Sequence, residues 1–148
     1  MLEQTVSLES PAADLRETHG LVPWQLPAAW LVAGEPTVSE KSLGRSADEA
    51  VEARMRACTA GSFHWEYAAE EIIHVLEGFA LVESAGLRRR LQPGDSLVFP
   101  AGSRFLWAVP EYIRMLVAAY RPQAKPRLSR RLYGYLSAPL TGRRPRRD

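Results

Sequence analysis

The sequence has a single cysteine, Cys58, among its 148 residues. One cysteine excludes an intrachain disulfide, so the class of small disulfide-stapled secreted domains is excluded as well. No run of apolar residues approaches the ~18–20 that a bilayer-spanning helix needs. The opening MLEQTVSLES has neither a basic start nor an apolar run, and so predicts no signal peptide. We therefore expect a cytoplasmic protein with no membrane partner.

Acidic residues are almost absent from the C-terminal stretch, residues 121–148, which has nine Lys and Arg and one acid. Residues 1–120 hold ten basic and sixteen acidic residues, so the net charge of +2 hides a body near −6 and an end near +8. A basic end can bind nucleic acid or membrane phosphate, solubilise the chain, or dock on an acidic body. Proline interruptions and the lack of a helix-turn-helix or RNA-binding motif argue against nucleic acid.

From about residue 50, apolar and polar residues alternate in short stretches that turn residues interrupt. This pattern is typical of antiparallel strands. We predict about eight strands after residue 50, and such strands must close or stack to hide their edges. The predicted strands are Val51–Cys58, Ser62–Tyr67, Glu71–Glu77, Phe79–Glu83, Leu87–Leu91, Ser96–Phe99, Arg104–Val109 and Tyr112–Tyr120.

The two ends of the chain lack this alternation. Residues 1–22 are predicted to be an N-terminal arm with one short helical turn over 12–18. Residues 23–121 are predicted to be a single β-barrel domain, and residues 122–148 a basic C-terminal extension with a short helix over 128–136. The sequence therefore indicates one all-β domain with two appendages.

Two glycine-bearing segments carry a family resemblance. Glu71 and Gly78 in EIIHVLEG resemble the second half of the first cupin motif. Gly94, Pro100 and Gly102 in GDSLVFPAG resemble the start of the second, with fifteen residues between Gly78 and Gly94. The chain thus resembles the cupin superfamily, which implies a double-stranded β-helix, also called a jelly-roll barrel.

A finer resemblance is to the cupin branch of ureidoglycine aminohydrolase and the ethanolamine-utilisation proteins. It is carried by CTAG at 58–61, LEG at 76–78, PGD at 93–95 and FPAG at 99–102. The resemblance covers about residues 23–121. It implies a metal-dependent enzyme that acts on a small nitrogenous or carboxylated metabolite, and by resemblance a homodimer.

Metal-binding cupins hold a divalent ion with an H-x-H pair and a glutamate from the first motif and a histidine from the second. By resemblance, His64 and Glu66 stand at the pair, Glu71 at the glutamate and Phe105 at the last histidine. One imidazole and two carboxylates suit Mn(II), Fe(II), Ni(II) or Zn(II). The resemblance therefore implies His64, Glu66 and Glu71 as metal ligands and Glu66 or Glu71 as the catalytic proton carrier. Loss of the last histidine leaves the absence of any metal as the alternative.

The alternation in the second predicted strand also admits a different interpretation. Phe63, Trp65 and Tyr67 lie on one side of that strand and His64 and Glu66 on the other. A solvent-facing His64/Glu66 stripe over an aromatic core gives the same pattern. In that case the protein is a non-catalytic small-molecule-binding or sensory cupin without metal.

A ligand pocket is predicted at the mouth of the barrel. Phe105 and Trp107 are expected to point into it, joined by Tyr67. At its rim, Arg54, Arg56 and Arg104 are expected to capture a carboxylate. An aromatic cavity with few charges suits a small organic ligand with one polar end. Core filling is the competing interpretation for Trp107.

Four remaining residues have structural interpretations. Cys58 is expected to be a buried small hydrophobe, and His74 lies opposite Glu71 in strand parity, in a sheet or subunit contact. Trp24 and Trp30 suit the expected dimer contact. A third hypothesis is an interaction protein whose basic extension engages an acidic partner.

Overall fold

The computed structural model describes residues 19–122. This part of the chain is built from nine strands and one 3₁₀ turn, without an α-helix. The predicted all-β jelly roll is confirmed. The strands are β1 (Val22–Trp24), β2 (Leu31–Gly34), β3 (Val38–Arg45), β4 (Val51–Glu66), β5 (Glu70–Gly78), β6 (Ala80–Ser84), β7 (Leu87–Leu91), β8 (Ser96–Phe99) and β9 (Arg104–Tyr120), and the 3₁₀ turn is Ala28–Trp30.

The two long strands β4 and β9 organise the fold. They pair antiparallel along their whole length, from Val51 opposite Tyr120 to Glu66 opposite Arg104. The first half of β4 and the last half of β9 are flanked by β3 and β5, and β8 pairs with β5. The other halves are flanked by β2 and β6, and β7 pairs with β6. The long strands therefore belong to both sheets of the roll.

A β-bulge lies where β4 passes from one sheet to the other. The register of β4 against β9 shifts between Thr59 and Gly61. The strand break predicted at Gly61 is therefore wrong, because this residue bends the strand without ending it. Pro110, on β9, has no partner in the ladder at this level, so its missing N–H removes no ladder hydrogen bond. Six strands, rather than about eight, follow residue 50.

Three strands, β1 to β3, lie in a stretch for which no strand was predicted. All residues of β1 and β2 are exposed, and β3 buries only Val38. Without a buried face these strands show no apolar alternation, so the sequence carried no period-two signal.

The core lies between the two sheets and is rich in aromatic rings. Phe63 of β4 and Phe99 of β8 are both almost fully buried. The ring of Tyr67 stacks on Phe99 with centroids 4.7 Å apart, and Trp65 contacts Trp24 and Trp30 at 5.1 and 5.5 Å. Trp24 and Trp30 thus pack against the barrel of their own chain.

Several predictions are not tested by the described residues. The turn over 12–18 and the helix over 128–136 lie outside them. The domain boundaries after residues 22 and 121, the cytoplasmic location and the homodimer stay predictions. Between residues 19 and 122 there is no helix with the length and apolar character to cross a membrane.

Candidate functional site

The three side chains predicted to bind a metal do not converge. Glu71 of β5 points into the core and is buried. The neighbours of Glu66 along β4, Trp65 and Tyr67, are also buried, so His64 and Glu66 lie on the outer face. The expectation that His64, Glu66 and Glu71 share one interior is therefore wrong, because Glu71 faces the core and Glu66 faces outward. Within residues 19–122 no three His, Cys, Asp or Glu side chains are grouped to hold a metal ion.

The residues at this end of β4 that face the interior are Trp65 and the adjoining Tyr67. Burial raises the pKa of the Tyr67 phenol well above its ordinary value, only partly opposed by the charge of Arg56. Its oxygen accepts a hydrogen bond from the Trp107 indole at 3.1 Å. A neutral phenol and apolar rings do not supply the anionic or imidazole ligands that a divalent ion requires. The residues at this position therefore do not fit a metal centre.

Among residues 19–122, Glu71 is the one buried carboxylate, and Arg56 binds it. The Nη1 and Nη2 atoms of Arg56 donate to the two Glu71 oxygens at 2.9 and 3.3 Å, and its Nε donates to Glu40 at 3.1 Å. The guanidinium also lies 4.4 Å from the centre of the Trp65 ring. Burial alone would lower the pKa of Arg56, but the charges of Glu71 and Glu40 outweigh it and raise the pKa. Both Glu71 oxygens are therefore satisfied by a permanent cation.

Further ion pairs continue this contact to the surface. Arg54 bonds Glu40 at 3.2 Å and Glu52 at 3.0 Å, and Arg45 lies 3.3 Å from Glu52. Side-chain exposure rises from 3% at Arg56 through 25% at Arg54 to 56% at Arg45. The hydrogen bond from Arg54 lowers the pKa of Glu52. Positive and negative side chains alternate along this series of ion pairs, so the charge of the buried Glu71 is balanced by Arg56.

The residues predicted to line the ligand pocket do come together. Tyr67, Phe105 and Trp107 are buried with Arg56, and the Tyr67 and Phe105 rings meet edge to face at 6.0 Å. The cavity beside them measures only about 10 Å³, which is about the space of one water molecule. These side chains therefore fill the interior and leave no room in it for an organic ligand.

An open pocket of about 520 Å³ lies at the mouth of the barrel. The Tyr67 amide donates to the Ser103 carbonyl at 2.9 Å and the Gly102 amide donates to the Tyr67 carbonyl at 2.7 Å, which joins the two loops beneath it. Glu66 and Arg104 stand opposite each other in register, with Nε and Oε1 3.8 Å apart and both side chains about half exposed. The lining residues are Trp30, Glu66, Tyr67, Ala68, Gly102, Ser103 and Arg104.

The mouth pocket combines an indole wall with one carboxylate and one guanidinium. Its volume is in the range of small-molecule sites, ~300–1,000 Å³. A second opening of about 500 Å³, lined by residues between 23 and 37, has Glu35 as its one charged lining residue. Sequence reasoning named Glu66 and Arg104 but assigned Trp30 to a dimer contact and missed Ser103. Only the fold shows that Trp30 reaches this pocket.

Cys58 is buried as expected and His74 lies on the side of β5 away from Glu71, while the contact of His74 with a second subunit stays a prediction. The Nδ1 atom of His74 is 2.7 Å from Ser96 Oγ. Neither residue lines the mouth pocket.

We expect the Cys58 thiol to be unreactive while the protein is folded. Burial raises its pKa to about 12, although the charge of Arg56 opposes the shift, so little thiolate forms near neutral pH. Titration with Ellman's reagent at pH 8 should release almost no chromophore from the native protein and one equivalent in denaturant. Rapid native labelling would show that the barrel opens at this point.

Residues 45–115 match the family model of the EutQ-like cupin domain. A search of curated proteins found no match. The EutQ protein of Clostridium difficile is 24% identical, with 57% of this chain and 68% of that chain covered at a TM-score of 0.51.

Two further solved structures are similar to this chain. A putative ethanolamine utilization protein from Salmonella typhimurium is 27% identical, with 57% of this chain and 69% of that chain covered at a TM-score of 0.51. A protein of unknown function from Pseudomonas syringae pv. tomato is 16% identical, with 72% and 46% covered at a TM-score of 0.63. These matches support the resemblance to cupins and to ethanolamine-utilisation proteins. The finer resemblance to ureidoglycine aminohydrolase is not confirmed.

Proposed function

On the premise that this chain has the cupin fold, we propose that it is a metal-independent cupin that binds a small zwitterionic molecule at the mouth of its barrel. The observation that carries the proposal is the contrast between the interior of the barrel and its mouth. The interior is filled by rings and by the Arg56–Glu71 pair, whereas the mouth is open and bears both signs of charge.

Metal independence is supported by the state of Glu71. A divalent ion would have to displace Arg56, which donates two hydrogen bonds to this carboxylate. Displacement would leave a buried guanidinium without its strongest partner, which costs several kcal/mol. Arg56 and Glu71 therefore suit a structural ion pair better than a metal-assisted reaction.

The ligand class is supported by the chemistry of the mouth. Arg104 suits a carboxylate, Glu66 suits an ammonium group, and the Trp30 indole suits the apolar part of a small molecule. Ion pairs at exposed positions are weak, so we expect a modest affinity, with a Kd of about 0.1–1 mM.

The proposal predicts binding that depends on Arg104 and on no metal. The full chain, treated with chelator, is titrated calorimetrically with amino acids and ω-amino acids, and with the matching simple carboxylates, amines and sugars. A zwitterion should bind more tightly than either the carboxylate or the amine. Arg104→Met should weaken binding about tenfold, the effect of one charge-assisted hydrogen bond. Arg88→Met, an exposed arginine of β7 away from the pocket lining, is the matched control.

Two results would overturn this function. One is stoichiometric divalent metal in protein purified without a histidine tag, measured by elemental analysis and lost on Glu71→Ala. The other is ligand binding that Arg104→Met and Trp30→Ala both leave unchanged. The first result would restore the metal-dependent enzyme, and the second would place the ligand elsewhere.

A further inference from the structure

Strand β7 lies at an edge of the barrel. Within the described part of the chain it pairs only with β6, antiparallel and without a register shift. The two-residue turn of this hairpin, Ala85 and Gly86, has positive φ at both positions, +46° and +80°. This is typical of a type I′ turn, in which the two residues that flank the turn form a hydrogen-bonded pair. Here that pair is Ser84 and Leu87.

The backbone groups of Arg88 and Arg90 face away from β6. Hydrogen-bonded and non-hydrogen-bonded pairs alternate along an antiparallel ladder, so the next bonded residue of β7 after Leu87 is Arg89, opposite Val82. The N–H and C=O groups of Arg88 and Arg90 therefore point outward at the sheet edge, about 7 Å apart along the strand. A further antiparallel strand pairs with backbone groups at this spacing.

Three consecutive arginines, Arg88, Arg89 and Arg90, occupy the centre of this edge strand, and all three are exposed. Glu83 lies opposite Arg88, but none of the three arginines forms an ion pair with any residue between 19 and 122. The edge therefore presents positive charge that this part of the chain does not pair.

Arg88 and Arg90 project from the same side of β7. Leu91 is buried in the core, and successive strand residues point to opposite sides, so Arg90 and Arg88 lie on the outer side. The guanidinium of Arg90 lies 4.2 Å from the centre of the Phe79 ring. A guanidinium stacked on a ring keeps the N–H groups at its edge free to donate to a carboxylate.

An extended acidic peptide can satisfy the backbone and the side chains of this edge together. Its backbone would pair with the outward groups of Arg88 and Arg90, and carboxylates two residues apart would meet the two guanidiniums. We propose that the β7 edge binds an extended acidic segment of another protein as an added strand.

Charge and backbone chemistry distinguish this occupant from two others. A second copy joined edge to edge by a two-fold axis would bring one arginine triplet against the other, and like charges on facing strands repel. A nucleic acid has phosphates for the arginines but no peptide groups to pair with the outward N–H and C=O groups. Neither alternative uses both features of the edge.

The first test measures the role of the two outer arginines by fluorescence anisotropy with the full chain. The probe is a labelled ten-residue peptide of alternating glutamate and threonine, which presents its carboxylates on one side when extended. Arg88→Gln/Arg90→Gln should weaken binding about tenfold, the effect of two exposed ion pairs. Arg89→Gln/Arg104→Gln loses the same total charge and should stay within about threefold of wild type. Equal weakening by the two double variants, or no binding at millimolar protein, would overturn the proposal.

The second test separates strand pairing from charge. In the added strand the glutamates pair with Arg88 and Arg90, so their N–H groups point toward β7 and those of the threonines point away. N-methylation of the glutamates should therefore weaken binding about tenfold, whereas N-methylation of the threonines, with the same charge, should leave it unchanged. Equal affinity of the two methylated peptides would overturn strand addition.

Two further controls address the other occupants. A labelled ten-nucleotide oligothymidylate should bind more weakly than the glutamate peptide, and equal or tighter binding would show a surface that recognises negative charge alone. In size-exclusion chromatography Arg88→Gln/Arg90→Gln should leave the oligomeric state of the protein unchanged. A wild-type dimer that this variant converts to monomer would assign the edge to a second copy instead.

Discussion

Replacing Arg56 by methionine is expected to lower the free energy of unfolding by about 3–5 kcal/mol, because the change leaves a buried carboxylate without its cation. Arg56 donates to both oxygens of Glu71 and to one oxygen of Glu40. Glu71 is only 7% exposed, so water cannot replace those hydrogen bonds. Urea unfolding of the wild-type and variant proteins measures the loss.

Two further variants separate the ion pair from general damage. Arg54→Met removes an arginine whose side chain is 25% exposed, so its loss should cost no more than about 1 kcal/mol. The double variant Arg56→Met/Glu71→Leu removes both buried charges and should recover most of the stability lost in Arg56→Met. If Arg56→Met proved as mild as Arg54→Met, the interior would have to admit water beside Glu71.

This ion pair also compensates the charge of Glu71 inside the barrel. Glu71 is buried in the interior together with the aromatic residues Trp65, Tyr67 and Phe105. An anion alone in such surroundings would be costly. Arg56 supplies the positive charge beside Glu71, and Trp65 contacts its guanidinium.

Short strands bounded by turns could be predicted from the sequence. β7 and β8 have the predicted bounds, and β5 and β6 differ by one residue at each end. Turn residues such as Gly94, whose φ is +91°, mark such ends reliably because glycine accepts positive φ without strain. The long strands were harder to predict, because glycine at 61 signals a bulge as readily as a turn.

The site was predicted less well than the fold, for a physical reason. Local alternation shows which residues share a face but not which face is inside. The aromatic set with Trp65 and Tyr67 was the correct guide to the interior, whereas the motif match selected His64 and Glu66, which lie on the outer face of β4. The partners of Arg56 are remote in sequence, 16 residues for Glu40 and 15 for Glu71, so no local pattern reveals them.

Replacing Gly78 by alanine is expected to be at least as damaging as replacing Arg56 by methionine. The free energy of unfolding should fall by about 4 kcal/mol or more, or the protein should fail to fold. Gly78 has a φ of +72°, a region that an L side chain adopts at a cost of about 1–2 kcal/mol. A Cβ built there would lie 1.9 Å from the carbonyl oxygen of Tyr112 and 2.8 Å from its carbonyl carbon. Tyr112 belongs to β9, which is hydrogen-bonded to strands on both sides, so the obstructing backbone cannot move aside without breaking the roll.

Gly86→Ala separates the two causes of this loss. Gly86 has a similar φ, +80°, but no atom lies within 4 Å of the position its Cβ would take. Its substitution should therefore cost only the conformational term, about 1–2 kcal/mol, and the difference between the two variants measures the close approach of β5 to β9. Soluble yield and urea unfolding of both proteins provide the comparison. If Gly78→Ala and Gly86→Ala were equally stable, Gly78 would be needed for its φ alone, and β5 and β9 would not meet as closely as described.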